Sequence, residues 1–87
     1  MRTLAAKVEA EAAAERAVVE RALADPEAGL PLYFWPLIDA DPEWGRRMAP
    51  ELRRAHAQAQ ASGRKDRSEP IGVALKTLER QTQAARP

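Results

Sequence analysis

The chain has no cysteine, a single histidine, four isolated glycines and only four aromatic residues among its 87. Each scarcity closes a class of function. Without cysteine there is no disulfide framework, no thiolate zinc site and no thiol nucleophile. The one histidine, His56, sits in RRAHAQ with no serine, cysteine or second histidine at a supporting spacing. Catalytic and metal roles need converging partners, so His56 reads as a solvated surface residue. The isolated glycines form no phosphate-cradling loop. Asp39, Asp41 and Glu43 place three carboxylates in five residues, but the glycine and terminal bidentate carboxylate of a calcium loop are missing. Helix capping accounts for Asp41 and Glu43 instead. No apolar run approaches the ~18 residues of a membrane span, and the N-terminal stretch is crossed by glutamates where a secretory signal needs an apolar core. These features predict a cytoplasmic, non-enzymatic protein with no cofactor, no metal and no membrane partner.

Large apolar side chains are also few. Of 39 hydrophobic residues 19 are alanine, which leaves 20 larger ones. A chain of this length forms one small domain and buries only about 60–65% of its unfolded surface, so binding or oligomerisation is a common source of added stability.

What the chain does contain is concentrated. All four aromatics, Tyr33, Phe34, Trp35 and Trp44, fall in the stretch LPLYFWPLIDADPEW, Leu30 to Trp44, among Leu32, Leu37 and Ile38. Buried aromatics supply the largest apolar area per residue, so a compact fold either covers this segment or offers it to a partner. Before it, residues 4–24 hold neither glycine nor proline and are rich in alanine and glutamate. They predict one long helix capped by Thr3 and stopped by Asp25-Pro26. Its apolar stripe is Leu4, Val8, Ala12, Val19 and Leu23, too narrow for a fully buried helix. Lys7–Glu11 and Arg16–Glu20 stand at ion-pair spacing along it.

Pro36 limits the aromatic segment to a turn of helix or an extended strip. Asp41-Pro42-Glu43 then has the form of a cap followed by a first-turn proline. Pro50 is expected to interrupt that helix, and Ser62-Gly63 to end the next. Met48, Leu52, Ala55 and Ala59 form its inward face. After a polar loop from Arg64 to Arg67, Ser68 is expected to cap a last helix with Ile71, Ala74, Leu75 and Leu78 inward. The fold class is therefore all-α: a single domain over residues 1–87, with about three main helices around an aromatic and proline-rich centre. An acidic alanine-rich helix covers residues 1–25, the aromatic hub 30–44 and a basic helical hairpin 46–87.

Charge is divided along the same line. Residues 1–45 carry four basic and nine acidic groups, a net of −5, and residues 46–87 carry ten and four, a net of +6. Either the halves neutralise each other, within one chain or across a dimer, or the basic half meets an acidic surface such as nucleic acid. Arg46, Arg47, Arg53, Arg54, Arg64, Lys65 and Arg67 are the candidates for phosphate contact. With no aromatic among them, stacking on single strands is not expected.

From Ala49 to Arg80 the sequence reads APELRRAHAQAQASGRKDRSEPIGVALKTLER. Pro50-Glu51-Leu52, Ser62-Gly63-Arg64, Ser68-Glu69, Ala74-Leu75 and Leu78-Glu79 resemble the two-helix portion of ribbon-helix-helix repressors and antitoxins. The resemblance covers about a third of the chain. It implies a dimer with Arg46 to Ala49 in a DNA-reading β-ribbon and Ser68 at a helix N-terminus facing a phosphate. Residues 1–40 would then be a partner-binding extension.

Two functions follow as expectations. The first is a non-catalytic helical protein that binds another protein or itself by occupancy, as adaptor, inhibitor or accessory subunit, with Tyr33, Phe34, Trp35 and Trp44 as the protein-binding residues. The second is a dimeric DNA-binding regulator or antitoxin acting through the basic half.

Overall fold

The computed structural model describes the backbone of residues 2–84 and the side chains of residues 9–84. Four helices follow one another: α1 (Arg2–Ala24), α2 (Trp35–Ala40), α3 (Pro42–Ala61) and α4 (Lys65–Ala84). The described residues contain no strand, so the all-α expectation holds, with three long helices and a short one at the hub. α3 and α4 form the main hairpin, α2 packs across both, and α1 lies against α3.

Each boundary has a local cause. α1 ends at Ala24, and the Asp25 side chain then accepts from the Glu27 N–H at 3.0 Å, a turn that an Asp-Pro pair favours. α1 begins at Arg2, before Thr3, whose cap, like the Leu4, Val8 and Lys7 side chains, lies outside the described residues. Pro36 occupies the first turn of α2, where no backbone donor is required. Asp41 caps α3 by accepting from the Trp44 N–H at 3.2 Å, with Pro42 directly after it. At the other end of α3, the Arg64 N–H reaches the Ala59 carbonyl at 2.8 Å and the Gly63 N–H reaches Gln60 at 3.2 Å. This double closure is a Schellman motif, and it sets Gly63 at φ +69°, a conformation that favours glycine.

Three expectations fail here. Pro50 does not interrupt the helix, because α3 runs through it unbroken. Pro50 and Arg46 both lie on the exposed face, where water can replace the donor that proline lacks, while Leu52, Ala55 and Ala59 hold the opposite face in the core. Nor is there a loop from Arg64 to Arg67: the Schellman closure turns the chain at once, and α4 begins at Lys65, three residues before Ser68. Residues 46–49, which the resemblance implies to be β-ribbon, are likewise helical.

The core joins Val19 and Leu23 of α1, Phe34, Ile38 of α2, Trp44, Leu52 and Ala55 of α3, and Ile71, Ala74 and Leu78 of α4. Met48 and Leu75 pack at its margin. At Gly45 α3 comes so close to its neighbours that an added β-carbon would stand 2.8 Å from Ile38 Cγ2 and 3.0 Å from Leu78 Cδ2. Glycine is required there by space, not by dihedral angle. Gln81 joins α4 to the end of α2 by donating to the Ile38 carbonyl at 3.1 Å.

Candidate functional site

The aromatic hub is divided between interior and surface. Phe34 and Trp44 are each 2% exposed and belong to the core, so neither is a protein-binding anchor as the sequence suggested. Their apolar area is already covered by α1, α3 and α4. The Trp44 indole N–H is directed to Glu20 of α1, donating to Oε1 at 3.3 Å. Trp35 is half-buried. Tyr33, by contrast, is 63% exposed, and Leu32 before it 65%.

Leu32 and Tyr33 form one lip of an open groove of about 530 Å³. His56 of α3 and Ser68, Glu69, Gly72, Val73, Leu75 and Lys76 of α4 complete its walls. Gly72 brings α4 beside His56: a β-carbon there would stand 3.6 Å from His56 Nε2, in ordinary contact. His56 is therefore half-buried beside α4, not the solvated residue that its sequence neighbours suggested. That placement depends on the tight turn at Gly63, which lays α4 back along α3, and nothing local to His56 signals it. The groove brings together Ser68, Glu69 and His56, yet no hydrogen bond joins them among the described residues. No base is thus aligned against the serine hydroxyl. The wall offers an apolar lip, a hydroxyl, an imidazole and one charge of each sign, which suits capture of a side chain or short segment.

The basic candidates also divide. Arg67 is 2% exposed and is no phosphate contact. Its guanidinium crosses to the end of α1, where Nη1 donates to the carbonyl of Ala22 at 2.9 Å and to that of Ala28. A cation at a helix C-terminus satisfies the carbonyls left over there and opposes the negative end of the helix dipole. Arg64 is bound to Asp66 through two nitrogens at 2.8 and 2.9 Å and also reaches the Pro26 carbonyl. That hydrogen-bonded pair holds the Asp66 carboxyl below its usual range and raises Arg64. Arg54 pairs with Glu51 one turn earlier. Arg46, Arg47, Arg53 and Lys65 remain exposed, with no acid within ion-pair distance among the described residues.

The expected Arg16–Glu20 pair is replaced as well. Arg16 faces Glu9 at 3.7 Å and Asp41 at 3.9 Å, because Glu20 is turned toward the Trp44 indole. Asp39 meets Gln81 at 3.5 Å. Among the described residues no three acidic or histidine side chains converge as a metal site would require, and no helix is long and apolar enough to cross a membrane. No protein-family model, no curated protein and no solved structure matches this chain.

Proposed function

We propose that this is a small non-catalytic helical protein that binds a segment of another protein in the groove beside α4. The observation that carries this reading is the exposure of Leu32 and Tyr33, 65% and 63%, at the lip of an apolar-sided groove. In a chain with few large apolar residues, Phe34, Ile38 and Trp44 are buried and Leu30, Trp35 and Leu37 half-buried, while these two are left to solvent. Tyrosine is enriched among binding hot spots because it joins apolar area to a hydrogen-bonding tip. Exchanging Leu32 for Ser and Tyr33 for Ala in one chain should leave helicity unchanged, since neither side chain is in the core. Partners retained by the wild-type protein should be lost, with affinity lowered at least tenfold in titration. A double variant that holds the same partners at the same affinity would sink the proposal.

A second reading, DNA binding, is favoured by one specific feature. Because α3 is continuous through Pro50, Arg46 and Arg53 stand seven residues apart on one exposed face, and so do Arg47 and Arg54. Contact would run through this helix face and not through a ribbon. A duplex should then bind with affinity that falls steeply as salt rises. Arg46→Ala with Arg53→Ala should lower the slope of log affinity against log salt by about two. Indifference of the wild-type chain to duplex at low salt excludes this reading.

A further inference from the structure

We infer that the chain pairs with a second copy of itself by laying the acidic face of α1 on the arginine face of the other copy's α3. The inference shares no residue with the groove and stands or falls independently of it.

The first observation is where the ion pairs lie. The four among the described residues are Arg16–Glu9, Arg16–Asp41, Arg54–Glu51 and Arg64–Asp66. Every one joins groups within the same half of the chain. Among the described residues none links the acidic first half to the basic second half, although the two halves carry −5 and +6.

The second observation is that the described part of α1, residues 9–24, is only partly covered. Its buried residues there, Val19, Ala22 and Leu23, all lie in the last two turns. Glu11, Glu15 and Val18 follow at i, i+4 and i+7, which puts them on one face, and all three are exposed, Val18 by 46%. This face carries two carboxylates, with an exposed valine one turn after the second. An exposed flank of α3 that borders α4 is its counterpart: Arg46, Pro50, Arg53 and Ala57 follow one another along it, all exposed. Small residues there allow a helix to approach closely, and the arginines are placed to meet its acids.

A two-fold arrangement uses both faces of both copies, so each α1–α3 contact is made twice. An interface built on charge complementarity gains orientation and speed of association, and it weakens as salt screens the charges.

Sedimentation of the full chain, without nucleic acid, tests this. At low salt the expected species has twice the 9.6 kDa chain mass, with the dissociation constant rising about tenfold or more as salt is raised severalfold. Glu11→Arg with Glu15→Arg should give a monomer, and so should Arg46→Glu with Arg53→Glu, each with unchanged far-ultraviolet circular dichroism. Mixing the two variants should restore a dimer, because both of its contacts then pair opposite charges again. A wild-type monomer at every concentration and salt would overturn the inference. So would a dimer that survives both reversals, or reversed partners that fail to associate when mixed. A dimer abolished only by the Leu32 and Tyr33 substitutions would move self-association to the groove and equally refute the α1–α3 contact.

Discussion

Arg67→Ala should be among the most destabilising single substitutions in the protein, lowering unfolding free energy by about 3–5 kcal/mol in urea titration. Two losses combine. The Ala22 and Ala28 carbonyls lose a charge-assisted donor; Ala22 keeps only the Asp25 N–H at 3.3 Å, and the part-buried Ala28 carbonyl loses its partner, at up to about 1–3 kcal/mol. The removed side chain also leaves a void between α4 and the end of α1, where Arg67 is among the largest fully buried groups. A protein of this length has roughly 4–13 kcal/mol to lose, so the variant should give up from about a quarter of its stability to all of it. Arg67→Met separates the two terms. It fills much of the volume and removes a buried charge whose second nitrogen, Nη2, has no partner, which offsets part of the carbonyl loss. Met should therefore be less damaging than Ala by about 1–2 kcal/mol. Equal and small effects of both substitutions would mean that Arg67 does not hold the end of α1.

The sequence misplaced Arg67 for an identifiable reason. An arginine in a run of cations between two helices has no local mark of burial. What draws it inside is a pair of carbonyls 39 and 45 residues away, and they converge only after α1 and α4 have packed. Local chemistry was read more successfully. Asp25-Pro26, Asp41-Pro42 and Ser62-Gly63 mark the chain's turns because caps and prolines act within a few residues of themselves. Pro50 was misread as a break for a related reason: its propensity is local, but the burial of Leu52, Ala55 and Ala59 that keeps α3 whole is not.

The candidate site was legible only in part. The hub was visible as a cluster of aromatics, yet spacing could not tell Phe34 from Tyr33, adjacent residues that differ by 61 percentage points in exposure. Their separation depends on how the segment enters the short helix at Trp35 and Pro36. His56 and Gly72 lie on opposite arms of the hairpin, and their proximity was hidden by the expectation of a four-residue loop where Gly63 makes a tight closure.

Trp44→Ala should rival Arg67→Ala, at about 3–5 kcal/mol, and the other tryptophan supplies the contrast. Trp44 is 2% exposed, in the first turn of α3, between the N-cap at Asp41 and the core. Removing its ring leaves the largest fully buried side chain of the molecule unreplaced. It also frees Glu20, and with it one of the ties between α1 and α3. Trp44→Phe keeps most of the apolar area and loses the indole donor, so about 1–2 kcal/mol is expected. If the hydrogen bond to Glu20 contributes to that loss, Glu20→Gln, which retains an acceptor, should change Trp44 stability little, while Glu20→Ala should be non-additive with Trp44→Phe. Trp35 is half-buried at the edge of α2, and Trp35→Ala should remain folded with a smaller loss, about 1–2 kcal/mol. The ordering is the decisive part. Denaturant midpoints that fall further for Trp35→Ala than for Trp44→Ala would place the structural centre of the hub in α2. The expected order places it at the start of α3, where the cap, the core and α1 meet in one residue.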